Sequence, residues 1–420
     1  MQRARIRDGV GLAVEWNTFI LQAEMHTEGY RGPVAARTYG YIGLAAYEAA
    51  LPGLAGDFQS FSNRFQGLII PDAPPADRFN HAIAMNACYA TLIGKFFRSA
   101  PETIRRQLVA LKEKWEQELA SGTDTSVIRI SSTFGIDVAN SVFAWSATDS
   151  IGHMANHHNY DRNYIPPVGD GKWVTSADFP MPPLLPTWGE VRPFVIRKEN
   201  YLAKPLPPYS VETNQTYYVQ ALEIISLGSP LSTENQLIGE FWSDDHPGLM
   251  FTPPGHWLAI TNQVIEKEHP SIEKTLETYL KVGFALSDAM VATWYSKYIY
   301  NLERPESYIQ RNIDPGWRPF SPTPSFPAYP SGHSMMGAAA AEVLCTMYGD
   351  TFKLDDKSHA MFPEFGIKPR CFNSFRDMAR ENALSRILIG VHWRMDAEEG
   401  LRLGALIGKE VNQLQVEKKL

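Results

Sequence analysis

Apolar residues recur along most of this chain at steps of three and four, the spacing that places them on one face of an α-helix. The clearest case runs from Ile104 to Leu119, where charged side chains fill the positions between the apolar ones. The same spacing predicts helices at further places, over about 10–28, 34–50, 76–98 and 125–148. Runs of alternating β-branched residues bounded by tight-turn sequences do not occur in the sequence. We therefore predict an all-α protein with very little sheet.

Proline interrupts this helical pattern in two places. Closely spaced prolines preclude regular helix from about 150 to 210, and a second proline-rich stretch runs from Pro315 to Pro330. Helical spacing resumes near 213 and continues, with the second interruption, towards the C-terminus. The sequence therefore predicts three parts: a helical bundle at 1–150, a proline-rich connector at 151–212 and a second helical bundle at 213–420.

Composition narrows the classes of function. With 420 residues, of which 44% are hydrophobic and 20% are charged, the chain can bury a large core and is not of the disordered type. Its 39 basic and 46 acidic residues give a formal charge of -7. A net negative charge argues against a general nucleic-acid binder and against a binder of anionic membranes. Any anion site must therefore be a local concentration of cations.

The cysteine content and the apolar segments of the sequence limit the class of protein further. The few scattered cysteines are too sparse for a disulfide framework or a zinc cluster. No stretch approaches the ~18 uninterrupted apolar residues of a membrane span. The apolar run Val10–Val14 near the N-terminus is too short for a signal peptide. A leader that had been removed would leave no trace, so export stays open.

The C-terminal half holds a candidate site for an anion. Lys297 and Arg304 are seven residues apart on a predicted helix, so two turns place them on nearly the same face before Pro305 ends the helix. Ser331 and Gly332 precede another predicted helix, where unsatisfied backbone N–H groups and the helix dipole favour an anion. Taken alone, each pair is also compatible with a solvated helix face or an ordinary capping serine.

A histidine and two charged residues follow near the C-terminus. His392 and Asp396 are four residues apart, so the carboxylate can accept a hydrogen bond from one imidazole nitrogen and leave the other as a ligand or a nucleophile. Arg386 lies six residues before His392, about 120° away from it on a straight helix. Convergence of the two therefore requires the long reach of the arginine or a local distortion at Gly390.

Together these residues form a specific pattern. It reads Lys297–x6–Arg304-Pro305, then Pro330-Ser331-Gly332-His333, then Ser385-Arg386–x5–His392–x3–Asp396. The pattern resembles the three-part motif of the vanadium-dependent haloperoxidases, which is shared with the type-2 phosphatidic acid phosphatase superfamily. Two further segments, Phe241–Asp245 and Thr252–His256, are similar to bacterial members. The resemblance implies two four-helix-type bundles joined by long proline-rich connectors, with the active site in the C-terminal bundle.

The resemblance also implies a vanadate cofactor and the residues that bind it. Vanadate would be held by the side chains of Lys297, Arg304, Arg386 and Ser331 and by the backbone amide of Gly332. Forked guanidinium groups, an ammonium group and a helix N-terminus are the donors that an oxyanion prefers. His392 matches the residue that bonds vanadium directly, and Asp396 lies behind it as its hydrogen-bond partner.

Further implied roles concern peroxide and halide. His333 matches the acid–base histidine that handles the protons of peroxide, and Lys297 would polarise the bound peroxide. Asp245 matches an aspartate that pairs with the last arginine of the motif. Trp294 and Phe326 match two aromatic positions that line the halide side of the pocket.

The implied activity is oxidation of a halide by hydrogen peroxide to a hypohalous acid, which then halogenates small organic acceptors. Iodide is expected to be oxidised best, bromide weakly and chloride little. The main alternative is a vanadate-inhibited acid phosphatase in which His392 is the nucleophile and His333 the general acid. A third reading is a non-catalytic oxyanion-binding protein. The family also implies a periplasmic or secreted protein, and the oligomeric state is left open.

Overall fold

The secondary structure is almost entirely α-helical. The computed structural model describes residues 9–178, 180–228, 231–244 and 248–417. Within these ranges the helices are joined by loops and short 3₁₀ turns. The only sheet there is an antiparallel pair of three-residue strands in which Leu354 lies opposite Phe372. The prediction of an all-α protein is confirmed.

The helices and strands are numbered here in chain order. The described helices are α1 (Val10–His26), α2 (Gly32–Ala50), α3 (His81–Phe96), α4 (Glu102–Ala120), α5 (Thr125–Ala147), α6 (Ser150–Met154), α7 (Thr216–Gly228), α8 (Thr233–Phe241), α9 (Pro253–Glu268), α10 (Ile272–Tyr300), α11 (Pro305–Asn312), α12 (Gly332–Tyr348), α13 (Phe375–Leu388) and α14 (Arg394–Asn412). The strands β1 (Leu354–Asp356) and β2 (Arg370–Phe372) lie between α12 and α13 in the chain. Of these described helices, none has the length and apolarity that crossing a membrane requires.

The chain forms two compact units, each assembled from separate stretches. The first unit takes its described residues from 1–153, 245–284 and 412–420, and the second takes them from 154–244 and 285–411. The boundary at 284 falls inside α10. The predicted boundaries at 150 and 212 divide the chain into contiguous parts and do not anticipate this interleaving. As a division into folding domains, they stay a prediction.

In the first unit, the apolar positions of α4 form the buried face of the helix. Its apolar positions Ile104, Trp115 and Leu119 are buried, whereas the charged positions between them are mostly exposed. One-sided spacing predicts this arrangement. Pro101 precedes the helix, and Gly122 follows its end with a left-handed φ of 76° that glycine adopts readily.

In the second unit, α14 lies close to α12. A Cβ atom on Gly404 would come within 2.1 Å of the Met335 carbonyl oxygen, and one on Gly400 within 2.8 Å of the Ser331 carbonyl oxygen. Glycine at both positions therefore permits contact between the two backbones. As a result, the start of α12 meets the start of α14, where the Ser331 N–H donates to the Asp396 carbonyl at 2.9 Å.

The proline-rich connector is fixed to α10 by hydrogen bonds. Between α6 and α7 the described residues contain no α-helix, as the prolines predict. The buried Asp288 carboxylate accepts from the backbone N–H groups of three consecutive residues, 194–196, at 2.7 to 3.0 Å. Further along the same helix, Ser296 Oγ accepts from the Ala203 N–H at 3.0 Å. The connector is therefore an ordered part of the second unit.

Candidate functional site

The cations Lys297 and Arg304 converge, although they do not share one helix as predicted. Lys297 lies in the last turn of α10, which ends at Tyr300, and Arg304 is the N-cap residue of α11. The predicted continuous helix is wrong because Asn301 adopts a φ of 50° and Pro305 begins α11 instead of ending α10. Proline is favourable at a first helical position, since it has no N–H to satisfy there.

Both side chains are buried and bonded to backbone carbonyls. Lys297 Nζ donates to the carbonyl oxygens of two consecutive residues, 327–328, at 2.8 and 2.7 Å. Arg304 donates from Nε to the Phe326 carbonyl oxygen at 3.0 Å and from Nη1 to the Val391 carbonyl oxygen at 2.7 Å. These acceptors are neutral, so they orient the two cations without cancelling their charge.

Arg386 and His392 are brought together by a sharp turn after α13. Gly390 adopts a left-handed φ of 82°, a conformation that would strain other residues. The N–H groups of Val391 and His392 both donate to the Arg386 carbonyl, at 3.1 and 3.3 Å. The distortion predicted at Gly390 is therefore present, and it places His392 in the loop between α13 and α14.

His392 is oriented by Asp396, as their spacing predicts. His392 Nδ1 donates to Asp396 Oδ2 at 2.8 Å, and the same oxygen accepts from the Trp393 N–H at 3.0 Å. Burial and the nearby cations Arg304 and Lys297 hold the pKa of His392 well below its usual value. The imidazole is therefore neutral, and with its proton on Nδ1 it presents the Nε2 lone pair to Arg304 Nη1, 3.1 Å away. A nitrogen held in this way can act as a ligand or a nucleophile.

The buried cluster contains more basic than acidic groups. Burial lowers the pKa of Lys297 well below its usual value and lowers that of Arg304 to about 10. Burial also raises the pKa of Asp396 to about 7, against the opposing influence of Lys297. Arg386 is buried as well. A bound anion would stabilise the charged forms of these cations, which burial alone disfavours.

Three donors of this cluster fit an oxyanion. Arg304 Nη2 is buried and makes no hydrogen bond among the described residues, and a buried donor left in this state is costly. Ser331 Oγ, the N-cap of α12, accepts from the Ser334 N–H at 3.4 Å, which leaves its hydroxyl proton for another acceptor. Gly332 begins the helix, where the backbone N–H has no partner within the helix. These donors suit a group such as vanadate.

The aromatic residues Trp294 and Phe326 lie directly against the cations. Their ring centroids are 5.0 Å apart. The centroid of the Phe326 ring lies 5.1 Å from Lys297 Nζ and 4.9 Å from Arg304 Cζ. An aromatic face at this distance attracts a cation. The structure therefore places an apolar wall beside the cationic cluster.

The two remaining predicted site residues are His333 and Asp245. His333, the second residue of α12, is only half-buried, whereas the three cations and His392 are buried. Its charge contributes to the lowered pKa of His392, so it lies near the cluster. Asp245 lies outside the described residues, and its pairing with an arginine stays a prediction.

The sequence did not indicate the groups that hold the Arg386 side chain. Its Nε donates to Ser385 Oγ at 2.9 Å, and its Nη2 donates to the Gly239 carbonyl and to Ser243 Oγ, each at 3.2 Å. Ser243 belongs to the segment that resembles bacterial haloperoxidases, but its contact with a residue 143 positions away leaves no local signal. A backbone acceptor such as the Gly239 carbonyl carries no residue-type signal at all.

Known proteins resemble this chain both in sequence and in fold. A family model for the VCPO second helical-bundle domain matches residues 277–418. Vanadium chloroperoxidase from Curvularia inaequalis is 26% identical over 49% of this chain, and the match spans only 44% of that protein. The crystal structure of a bacterial vanadium-dependent iodoperoxidase is 27% identical, covers 98% of both chains and has a TM-score of 0.84. A holo-type bacterial vanadium-dependent chloroperoxidase has the same fold at 17% identity, with a TM-score of 0.68 and coverage of 91% of this chain and 92% of its own.

Proposed function

We propose, from its similarity to vanadium-dependent haloperoxidases in sequence over 277–418 and in fold, that this chain binds vanadate and oxidises halide ions with hydrogen peroxide. The observation that carries the proposal is the buried cluster of Lys297, Arg304 and Arg386 around a neutral His392. Buried cations require a compensating anion. The product would be a hypohalous acid or its equivalent, which reacts with small organic acceptors.

Vanadate would be held by groups that the fold brings together. The guanidinium groups of Arg304 and Arg386 and the ammonium of Lys297 would donate charge-assisted hydrogen bonds to its oxygens. The Ser331 hydroxyl and the amide that follows it would donate from the N-terminus of α12, and His392 Nε2 would be the metal ligand. When bound, vanadate supplies a Lewis acid that activates peroxide without a change of oxidation state.

The protein's own groups would position the ligand and transfer protons. Asp396 keeps the His392 proton on Nδ1, so Nε2 stays available as a ligand. His333, the second residue of α12, would accept and donate the protons of peroxide. Lys297, whose pKa is lowered by burial, would donate a hydrogen bond that polarises the peroxide oxygen for attack by halide.

Iodide is the proposed preferred halide, with bromide oxidised weakly. Iodide is the most easily oxidised of the three halides, and it is also the least strongly hydrated. It therefore loses least when it leaves water for an apolar wall such as the Trp294–Phe326 pair. The iodoperoxidase that is 27% identical over 98% of both chains supports the same choice.

Iodide oxidation by hydrogen peroxide tests this function, with metal-free protein assayed with and without added orthovanadate. We expect turnover only with vanadate, and we expect His392→Ala to abolish it because the ligand nitrogen is lost. His158→Ala is the matched control, since that histidine is exposed, and it should retain full turnover. A protein without vanadate-dependent turnover would refute the activity. Bromide turnover equal to or above iodide turnover would refute the halide preference.

Phosphate-ester hydrolysis on the same preparation addresses the alternative activity. Hydrolysis that vanadate inhibits, without halide oxidation, would assign His392 as the nucleophile and His333 as the general acid of an acid phosphatase. Vanadate binding without turnover of either substrate class would indicate a non-catalytic oxyanion-binding protein.

A further inference from the structure

We propose that Ser243 is a positioning residue that sets the orientation of Arg386 and thereby the affinity of the site for its oxyanion. The inference rests on the proposed vanadate site and adds a residue that lies outside the three-part motif. Ser243 follows the end of α8 and is half-buried. Its hydroxyl contacts Arg386 across 143 positions of sequence.

The Ser243 hydroxyl has a defined direction. Its Oγ lies 2.6 Å from the Gly239 carbonyl oxygen, so its single proton is donated to that carbonyl. The oxygen lone pairs are then directed to Arg386 Nη2, which donates to Oγ at 3.2 Å. Nη2 also donates to the Gly239 carbonyl at 3.2 Å. Hydroxyl, carbonyl and guanidinium nitrogen form a closed triangle in which each contact supports the other two.

A second serine holds the guanidinium group through Nε. Ser385 donates its hydroxyl proton to the Asn382 carbonyl, and its oxygen accepts from Arg386 Nε at 2.9 Å. The two serines therefore hold Nε and Nη2, which define one edge of the planar guanidinium group. Both hydroxyls are neutral, so they fix the plane of the group without cancelling its charge.

The position of α8 brings the Ser243 hydroxyl and the Gly239 carbonyl to Arg386. A Cβ atom on Gly239 would come within 2.5 Å of Ile389 Cγ2, so glycine allows α8 to approach the end of α13. The Gly239 carbonyl belongs to the last turn of α8, whose partial negative charge favours a cation. His359 Nε2 donates to the Phe241 carbonyl at 2.8 Å and anchors the chain just before Ser243.

Loss of the Ser243 hydroxyl would let the guanidinium plane rotate. An arginine gives strong paired hydrogen bonds to an oxyanion only when its planar fork faces that anion. We expect Ser243→Ala to weaken vanadate binding about 10-fold, the effect of one hydrogen bond to a charged group. Ser243→Thr keeps the hydroxyl and is expected to stay within about 2-fold of wild type.

Equilibrium dialysis of vanadate against metal-free protein measures this effect without any turnover assay. The decisive design is a double-mutant cycle with Arg386→Lys, because lysine has no planar fork to orient. Ser243→Ala should weaken vanadate binding about 10-fold when Arg386 is retained. In the Arg386→Lys background, the same substitution should weaken it less than about 2-fold. Equal losses in both backgrounds would refute the positioning role.

A matched control separates this role from the general loss of a serine. Ser226 is exposed, and its Oγ donates to the Glu223 carbonyl at 2.8 Å, so Ser226→Ala should leave the affinity unchanged. If Ser243→Ala does not fold, Ser243→Cys replaces it, since it keeps the volume and weakens the acceptor. Wild-type protein that binds no vanadate would refute the proposed function itself. Vanadate binding that is equal in wild type and Ser243→Ala would refute only the role of Ser243.

Discussion

At the scale of single residues, buried ionisable side chains serve different purposes in the two units. In the second unit, Lys297, Arg304 and Arg386 are buried around His392 and fit an oxyanion. In the first unit, Glu48 is also fully buried, and its Oε1 accepts from the Phe61 N–H at 2.6 Å. No role in the proposed reaction falls to Glu48. The ionisation of Glu48 is therefore expected to affect the stability of the first unit.

Glu48 should make the stability of the first unit dependent on pH. Burial raises its pKa to about 7, above the ordinary value of 4.5. The folded state therefore holds a proton that the unfolded chain releases, and this stabilisation is fully present below pH 4.5 and is lost as the pH rises through about 7. The free energy of unfolding should fall by about 3 kcal/mol over this range.

Replacement of Glu48 by an amide tests this expectation. Glu48→Gln cannot titrate, so its thermal unfolding midpoint should decline less than that of wild type between about pH 5 and about pH 8. Glu118→Gln, on the exposed side of α4, is the control and should behave like wild type. An identical decline in Glu48→Gln and wild type would contradict the prediction.

At the scale of elements, apolar spacing predicted the helices well, but single backbone conformations decided where several of them end. The turn at Gly390 could be foreseen because glycine is the residue that adopts a left-handed φ without strain. The break after Tyr300 could not, because Asn301 gives no comparable signal and Pro305 is compatible with either the end or the start of a helix. The position of Arg304 as the N-cap of α11 depends on that break.

The path of the connector could not be predicted from the sequence either, because hydrogen bonds from backbone N–H groups to a buried carboxylate fix it. Asp288→Ala would leave the three N–H groups of 194–196 without their acceptor. Each unsatisfied buried group costs about 1–3 kcal/mol, so we expect the connector to open locally while the helices stay folded.

Hydrogen exchange measures this opening. Exchange at 194–196 should accelerate by about 10-fold or more in Asp288→Ala, whereas exchange in α12 should not change. Asp314→Ala is the control, since Asp314 accepts from a backbone N–H in an exposed turn. Unchanged protection at 194–196 would contradict the prediction.

At the scale of the whole molecule, the described residues of the site all belong to the second unit. Their selection as candidates rested on the resemblance of the three-part motif to the vanadium-dependent haloperoxidases, since each part alone is compatible with an ordinary helix face or cap. The composition of the units could not be predicted, because the packing of the described residues 248–284 with the N-terminal helices leaves no mark in the local sequence pattern. The expected export of the protein stays a prediction.

Vanadate binding should stabilise the folded protein, because a ligand that binds only the folded state shifts the unfolding equilibrium. At vanadate about 100 times above the dissociation constant, the gain should be about 2.7 kcal/mol. Thermal scans of metal-free protein should therefore show a midpoint that rises with vanadate concentration. His392→Ala should show no such rise at the same concentrations, and an equal rise in both proteins would place the bound vanadate elsewhere.

Asp396 fixes the number of residues that separate it from His392, and protein engineering must preserve that number. Its side chain accepts from His392 Nδ1, while its carbonyl accepts from the Ser331 N–H. The span 392–396 therefore works as a spacer of fixed size, and an inserted or deleted residue there would move His392 away from Ser331. Gly349, just after α12, has open space around it. A tag, a fluorophore or an inserted domain therefore belongs at that turn, where added chain disturbs nothing that the spacer holds.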